Sequence, residues 1–375
     1  MKKVIVCHSF PAWDTPYIKS TIELLKQLSK DHRVIMIDYH YTIKDLISNK
    51  FTPVKEVLGL RSRIRLKQTE YGQIEVISTP PVLPVNWISS SKLFGWLSAL
   101  NGKIVGRSIK RQLKKIGVNN YTLINAFNPV YGYYTRSNFQ PEKTVYYCYD
   151  EIAATDWAGK HGAEYEAKYM PLVDQVLCTS TTLTNKKAPL AREVKFIPNG
   201  VNLDIFLAPH KEKTREKIIG YIGAIDDRLD FELIDYCARN MEDYHFLFYG
   251  PVKTKIPPLP DNVYFPGSVE QKLLPKKILN FEAGLIPFVK NELTQAIYPL
   301  KINEYLAMGK PVVSTDFSDL SDFTQVAEIT SNKEEFLKAL KRIIRYNSRL
   351  KTQKRIEFAK ANSWENRARQ FAEAI

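Results

Sequence analysis

The chain of 375 residues is longer than one hydrophobic core usually supports, so two domains are expected. Its 44% hydrophobic and 25% charged residues are those of an ordinary soluble globular protein. No apolar run reaches the ~18–20 residues of a spanning helix and no signal-peptide pattern opens the chain, which predicts a cytoplasmic protein, with a peripheral position on the inner face of the membrane as an additional hypothesis.

The net charge of +14 is concentrated in the first half of the chain. Residues 1–190 hold 26 Lys and Arg against 15 Asp and Glu, and residues 61–115 hold 11 against 2. An acidic partner is therefore expected at this half: a phosphate-bearing ligand, an anionic membrane surface or nucleic acid. The four cysteines have no Cys-x-x-Cys spacing and lie in apolar stretches, so buried thiols are expected.

Strand and helix patterns alternate from the N-terminus. The run at 2–10 predicts a strand, the spacing at 17–30 an amphipathic helix, and the run at 33–39 a second strand, which is the order of a βαβ unit in a parallel sheet. Further strands are predicted at 73–79, 121–127, 144–149 and 175–180, with a helical stretch at 91–115 among them.

A second α/β series begins near residue 190. Strands are predicted at 193–200, 217–225, 244–250, 262–267, 283–288 and 310–315, and helices at 230–240 and 332–346. Two successive series predict two doubly wound domains, one over 1–188 and one over 189–359.

The first loop, HSFPAWDTPY at 8–17, contains no glycine, and no P-loop sequence occurs in the chain. The first domain is therefore not expected to bind a phosphate through a glycine-rich turn. His8, Trp13, Asp14 and Tyr17 would lie at the carboxyl edge of the sheet, where α/β proteins bind ligands. The alternative is a rigid loop with Trp13 partly buried.

The second domain has loops better suited to phosphate. GYIGAIDDR (220–228) places Gly220 and Gly223 at the end of a strand that leads into a helix, and helix N-termini attract anions. Two glycines are a weak signal by themselves. The turn at Asn199-Gly200, in IPNG at a strand end, is more specific.

The segment YPLKINEYLAMGKPVVST (298–315) combines a helix start at Pro299 with Lys301 and Glu304, which share one helical face. Lys301 can contact a phosphate, and Glu304 can accept hydrogen bonds from the vicinal hydroxyls of a ribose. The alternative is an exposed Lys–Glu pair worth only ~0.3–0.5 kcal/mol.

These segments resemble a known family. In the same order, with FLFYGP, LPKKILNFEAGLIPF and the terminal NSWENRARQF, they are similar to bacterial glycosyltransferases of the GT-B fold, family 4, and more narrowly to members that build teichuronic acid, capsule or exopolysaccharide. The resemblance is strong over 190–375 and weaker over 1–190, where only DQVLCTSTTL and the YYCYDE region are similar.

The resemblance implies an α/β fold of two facing Rossmann-like domains, with a helix near Trp364, at about 360–375, that crosses back to the first domain. A nucleotide-sugar, favoured as a UDP-sugar with a GDP-sugar as the alternative, would bind on the second domain without a metal. A saccharide or lipid-linked acceptor would bind on the first, at His8, Trp13, Asp14 and His161. Glu304 would contact the ribose, Lys301 the pyrophosphate, and Gly223 would lie beside the phosphates. Asn199 and Pro299 complete the predicted donor site.

Two departures from the family pattern concern the donor. Many members have a glutamate for the donor sugar eight positions before Glu304, where this chain has Ala296. Glu292, Thr294 and Gln295 are the candidates to replace it, and the donor sugar and stereochemical course stay open. Many members also have Gly-Arg where this chain has GAIDDR, so Arg228 is the candidate second cation.

The segment YYCYDEIAATDWAGKHG (146–162) is the best place for catalytic groups. An inverting transfer needs a base near the acceptor hydroxyl, and Asp150 matches the base of a related inverting glucuronosyltransferase. Glu151 is the second catalytic candidate and Asp156 a weaker one. The alternative is that Asp150 caps a helix or pairs with a surface lysine. In a retaining enzyme it would only orient the acceptor. No D-x-D pattern occurs, so no metal site is expected.

The segment 87–117 combines Trp87, Trp96 and an apolar face at Leu93, Leu97, Leu100 and Ile104 with six following Lys and Arg. This pattern suits an anionic membrane surface. The alternative is a domain helix with that apolar face in the core. Nucleic-acid binding lacks any recognition motif and is not expected. Two other functions remain open: a nucleotide-sugar 2-epimerase of the same fold, and a non-catalytic sugar-binding subunit.

Overall fold

The computed structural model describes residues 2–15, 19–155, 158, 160–207 and 217–375. The chain forms two compact units: Met1–Pro198 with Arg367–Ile375, and Asn199–Asn366. The sequence had placed this boundary after residue 188. The strand Val194–Phe196, assigned from the sequence to the second series, pairs in the first sheet instead.

The first unit is built on an eight-stranded sheet. Its strands are β1 Val4–Ser9, β2 Arg33–Ile37, β3 Ile64–Gln68, β4 Gln73–Ile77, β5 Thr122–Ala126, β6 Lys143–Cys148, β7 Gln175–Cys178 and β8 Val194–Phe196, in the order β3-β4-β2-β1-β5-β6-β7-β8. Adjacent strands are parallel except β3, which pairs antiparallel with β4 at one edge. The central strands are almost fully buried, which explains their continuous Val and Ile runs.

The helices of this unit are α1 Ser20–Leu28, α2 Asp45–Ser48, α3 Val54–Val57, α4 Ser91–Lys115, α5 Pro129–Thr135, α6 Gly162–Tyr169 and α7 Thr181–Lys187. Since β1 lies between β2 and β5, the chain leaves β1 and β5 toward opposite sides of the sheet. In parallel sheets a ligand site is expected at such a switch point, outside the carboxyl ends of the strands.

The second unit has a six-stranded parallel sheet. Its strands are β9 Ile218–Ile222, β10 His245–Tyr249, β11 Val263–Gly267, β12 Phe281–Ile286, β13 Val312–Thr315 and β14 Glu328–Thr330, in the order β11-β10-β9-β12-β13-β14. This is the doubly wound order 3-2-1-4-5-6, with its switch point between β9 and β12. Its core is one large apolar cluster.

The helices of the second unit are α8 Leu203–Phe206, α9 Phe231–Arg239, α10 Leu274–Ile278, α11 Glu292–Gln295, α12 Leu300–Ala307, α13 Lys333–Arg345 and α14 Arg349–Ala361. The last helix, α15 Trp364–Ala374, begins in the second unit and belongs to the first from Arg367 onward. There Phe371 packs edge-on against Tyr147, and Lys143 Nζ donates to the carbonyl of Ala374 at 2.6 Å. The predicted class, two doubly wound α/β units, is confirmed.

Helix α4 packs with a different face from the one expected as a core face. Phe94, Ser98 and Val105 lie on its buried side, and Gly102 admits Tyr134 so closely that a β-carbon there would clash. Leu93 and Leu100 are exposed. The buried face combines Phe94 and Val105 with the small residues Ser98 and Gly102, and two of the leucines on the other face remain in contact with solvent. None of the helices in the described ranges is both long and apolar enough to cross a bilayer.

Candidate active site

Lys301 and Gly223 lie against each other at the switch point of the second unit. Gly223 follows β9 with φ +139°, and a β-carbon on it would lie 3.0 Å from Lys301 Nζ and closer still to Cε. Lys301 is in the first turn of α12, so helix and loop meet here as the sequence predicted. Glycine is required at this position both for its backbone angle and for the approach of the lysine.

Arg228 supplies a second cation beside Lys301. Its Nε and Nη2 donate to the two carboxylate oxygens of Asp226 at 2.8 and 2.6 Å, which fixes the guanidinium. The Phe288 ring lies 5.6 Å from Lys301 Nζ and 5.6 Å from Arg228 Cζ. Both cations thus lie over the same phenyl ring, and a bound anion would stabilise this pair of like charges.

The pKa values at this site report its burial. Burial, and next the charge of Arg228, lower the pKa of Lys301 to about 8. Burial raises the pKa of Glu304 to about 7, against the opposing charge of Lys301. The carboxyl of Asp226 is desolvated as well, but its hydrogen bonds to Arg228 hold its pKa below the usual range. Perturbed titrating groups gathered at a switch point are typical of a functional site.

Other residues of the predicted donor site have structural roles. Pro299 directly precedes α12 and is buried. After Asn199, Val201 exchanges backbone hydrogen bonds with Asn362 and Trp364, and Gly200 packs against Trp364. The segment that follows Asn199 is therefore tied to the α14–α15 junction. Gly220 lies inside β9 against Phe281 rather than at its end, and is a packing residue.

The candidates for the missing sugar-contacting glutamate are placed as follows. Thr294 is buried, and its hydroxyl donates to the carbonyl of Val289 at 2.6 Å in the capping arrangement of α11. The Thr294 hydroxyl is therefore already hydrogen-bonded to the backbone of its own segment. Glu292 and Gln295 are exposed on the same short helix.

In the first unit, Asp150 lies just after β6 and lines a cavity of about 400 Å³ with Phe10, Tyr39 and Phe127 among its other walls. Its Oδ1 accepts from the amide of Glu151 at 2.9 Å. Since these walls follow β1, β2 and β5, the cavity lies at the switch point of the first sheet.

Glu151, the second predicted catalytic residue, is structural. It is 2% exposed, and its carboxylate pairs with Lys187, which is 4% exposed and also pairs with Glu166 at 2.7 Å. The sequence could not reveal this because Lys187 is distant in the chain. Glu151 is therefore held away from any acceptor by a buried ion cluster.

The predicted acceptor residues His8 and His161 are also buried, which corrects their assignment. His8 Nε2 lies 2.6 Å from His40 Nε2, and burial lowers the pKa of His8 to about 3. His161 stacks on Phe94 and its Nε2 contacts the carbonyl of Ile88 at 3.0 Å. Both rings fix neighbouring segments of the unit.

The first loop is anchored by ion pairs. Asp14 pairs with Arg65 and Lys67 of β3, and the amide of Trp13 donates to Asp38 Oδ1 at 2.8 Å. The side chains of Trp13 and Asp14 are partly buried. This agrees with the alternative in which the segment is a rigid loop. Tyr17 and Asp156 lie outside the described residues.

Asp226 was not predicted from the sequence as part of the site, although a carboxylate two residues before Arg228 can pair with its guanidinium in a turn. Phe127 was not predicted either, and its φ of +55° is unusual for a residue with a side chain. All four cysteines are buried and free, as expected. Within the described ranges, no group of three or more His, Cys, Asp and Glu side chains could hold a metal ion.

Comparison with known proteins finds a family match within the second unit. Residues 216–346 match the model of the family described as glycosyl transferases group 1. A curated relative, the putative teichuronic acid biosynthesis glycosyltransferase TuaH of Bacillus subtilis (strain 168), is 32% identical over 174 residues. That match spans 42% of the chain and 44% of the relative, so it covers less than half of either.

The fold of the chain is shared with solved structures over its whole length. Sucrose-phosphate synthase from Thermosynechococcus elongatus superposes with a TM-score of 0.70 at 16% identity, covering 100% of the chain and 98% of that structure. Anabaena HepE in complex with UDP and glucose gives 0.62 at 13% identity, covering 100% and 99%. A trehalose-phosphate synthase from Burkholderia xenovorans gives 0.68 at 12% identity, covering 99% of each. The chain therefore has the GT-B fold, and the resemblance seen in the sequence is confirmed.

Proposed function

We propose that this protein is a glycosyltransferase that moves a hexose from a nucleotide-sugar, favoured as a UDP-sugar, to a saccharide or lipid-linked saccharide acceptor in surface polysaccharide biosynthesis. The observation that carries the proposal is the pair of cations, Lys301 and Arg228, next to Gly223 in a group 1 glycosyl transferase unit. A GDP-sugar is the alternative donor. The proposed reaction requires no metal ion.

The cations suit the bond that breaks. In the transfer, the bond between the sugar anomeric carbon and the diphosphate oxygen breaks, and its electron pair leaves with the diphosphate. Lys301 and Arg228 would stabilise the negative charge that develops there, strongly so because the site is partly desolvated. Glu304, three residues after Lys301 on the same helical face, would accept hydrogen bonds from the ribose hydroxyls.

The acceptor would bind on the first unit, with its reacting hydroxyl at the cavity of Asp150. A new bond forms between that oxygen and the anomeric carbon, and the hydroxyl proton is lost. In an inverting reaction Asp150 would take this proton. In a retaining reaction the departing diphosphate would take it, and Asp150 would orient the acceptor.

The test is calorimetric binding of UDP, GDP and ADP to the full chain and to Lys301→Ala. Loss of one charged contact should weaken binding of the preferred nucleotide about 10- to 100-fold. Lys338→Ala, which removes an exposed lysine of α13 in the same unit, is the matched control and should bind as the parent does. If no nucleotide binds, or both variants bind equally well, the proposal fails.

We further propose a cytoplasmic protein bound peripherally to an anionic membrane through the exposed face of α4. Trp96 is 67% exposed there, near Leu93 and Leu100, and the same helix continues into exposed basic residues. Hydrophobic side chains followed by cations suit an interface of anionic lipids. Sedimentation with phosphatidylglycerol vesicles should exceed that with phosphatidylcholine vesicles, fall with salt, and fall in Trp96→Ala. Equal sedimentation with both vesicle types would contradict this.

A further inference from the structure

A second cavity of the first unit, about 470 Å³ in volume, has no role in the proposed chemistry. Six aromatic residues line it: Phe10, Tyr39, Trp87, Phe94, Phe127 and Tyr131. Its volume lies in the range of small-molecule sites. An apolar cavity of this size at the carboxyl ends of β1, β2 and β5 is large for a packing defect in a natural interior.

The cavity adjoins the one that contains Asp150, because Phe10, Tyr39 and Phe127 line both. Phe127 is held in its left-handed conformation by Asn125, whose Nδ2 donates to the carbonyl of Asn128 and whose Oδ1 accepts from the amide of Asn128, both at 2.9 Å. Strained backbone that is fixed by its neighbours is characteristic of ligand sites. The shared aromatic wall allows one ligand to extend along both cavities.

Apolar and aromatic side chains make up most of the wall of the aromatic cavity, and the polar residues that also line it are His40, Thr42, Lys44, Asn86, Ser98 and Asn128. His40 is occupied by its contacts with His8 and with Thr79. Ser98, on the buried face of α4, is 3% exposed, and its hydroxyl has no hydrogen-bond partner in the part of the chain that the structure describes. A buried hydroxyl is normally satisfied, so an oxygen of a bound molecule is expected next to it.

The polarity of the cavity determines what it can bind. A free saccharide that filled the cavity would place hydroxyls against the six aromatic rings, where they have no partners, which is unfavourable. A hydrocarbon chain that begins at a single oxygen matches both the rings and Ser98. Trp87 forms part of the wall and is 75% exposed, and it precedes α4 and its exposed Leu93 and Trp96. The cavity is thus lined in part by the segment proposed to lie on the membrane.

We infer that this cavity binds the hydrocarbon of a lipid-linked acceptor at the point where the chain joins its first oxygen, with that oxygen hydrogen-bonded to Ser98. This inference rests on the proposed function, since it gives the lipid-linked class of acceptor to the site that adjoins Asp150. In this arrangement Ser98 and the aromatic wall select the lipid part of the acceptor, and its sugar binds in the adjoining cavity that contains Asp150.

The experiment titrates the full chain with farnesyl phosphate and with dodecyl phosphate, both below their aggregation concentrations, by calorimetry. Both probes carry a hydrocarbon joined to an oxygen, and the stronger one distinguishes an isoprenoid from a straight chain. Ser98→Ala should weaken binding about tenfold, as expected for a lost hydrogen bond to a charged group. Ser98→Leu should abolish binding by filling the cavity. Ser91→Ala, on the exposed start of the same helix, should have no effect.

Two further measurements keep the outcomes separate. Binding on the outside of α4 would be weakened by Trp96→Ala and unaffected by Ser98→Ala, and that result would overturn the inference. UDP binding, which depends on the second unit, is measured on each variant. A Ser98 variant that binds UDP normally has a folded second unit. Its thermal unfolding shows whether the first unit is folded as well. If UDP binds but neither amphiphile does, the inference fails while the proposed donor site stands.

Discussion

Gly223 leaves room for Lys301: a β-carbon on the glycine would lie 3.0 Å from the lysine ammonium. The loop after β9 and the start of α12 are distant in the chain, yet the observed position of the Lys301 side chain requires that residue 223 has no β-carbon. The proposed donor site therefore depends on both residues.

Gly223→Ala should weaken UDP binding by at least about tenfold, since the added methyl must displace Lys301 and the backbone angle disfavours a side chain. Gly267→Ala is the control: it also has a positive φ, of +90°, in the same unit, but a β-carbon there meets nothing within 4 Å. Calorimetry of both variants measures the effect. Equal losses in the two would attribute it to backbone strain alone.

UDP binding above pH 8 should take up a proton. Free Lys301 has its pKa lowered to about 8, and a bound diphosphate would raise it again. Affinity should therefore fall as pH rises above 8, by up to about tenfold per pH unit. Titrations at pH 8.5 in two buffers of different ionisation enthalpy measure the uptake. Lys301→Arg, which stays charged, should show none, and identical uptake in that variant would exclude Lys301 as its source.

Lys187→Met should lower the free energy of unfolding of the first unit by about 3–5 kcal/mol, because it leaves the buried carboxylate of Glu166 without a cation and removes the buried cation from Glu151. The neighbouring Lys186 also pairs with Glu151 but is 44% exposed. Lys186→Met should therefore cost less than about 1 kcal/mol. Urea unfolding of the two variants gives the comparison, and similar losses would show that the cluster is not the stabilising unit described.

Acid should destabilise the first unit through His8 and His40. Burial lowers the pKa of both, so below pH 6.5 the unfolded chain binds protons that the folded chain does not. This contribution to stability is complete above pH 6.5 and should fall by about 2–3 kcal/mol between pH 7.5 and 5.5.

The variant that tests this replaces both rings, as His8→Leu with His40→Leu, and should lose most of that pH dependence in urea unfolding. Replacing an exposed histidine, as His245→Gln in the second unit, should retain it. An unchanged pH profile in the double variant would place the acid sensitivity elsewhere.

Features set by residues that are close in the chain could be predicted from the sequence, and features set by contacts between distant elements could not. Lys301, Glu304 and Gly223 could be proposed together because a helix start and a strand-end turn are local signals, and the structure brings Lys301 next to Gly223. The roles of His8 and Glu151 could not be predicted, because each is set by a partner on another element, His40 and Lys187. A pattern at one position does not reveal which side chain the fold will bring to it.

The same reason explains the errors in the fold. Strands β3 and β14 were missed: they are short and only partly buried, so they lack the apolar runs of central strands. The strand at 194–196 was recognised but assigned to the wrong sheet, since strand patterns carry no information on pairing. The alternative for α4, with the Leu93 and Leu100 face in the core, is wrong for those two residues, because Phe94, Val105 and Ile109 lie on the face that packs inward.

The path of α15 has a consequence for synthesis of the protein. Arg367–Ile375 complete the first unit, and the second unit is inserted between them and Pro198, with its own ends joined where Val201 pairs with Ser363. A ribosome therefore makes the last piece of the first unit only after the entire second unit has been translated. Until then the carbonyls of Ala372 and Ala374 that Lys3 and Lys143 contact do not exist, and the unit that is begun first is the one that is finished last.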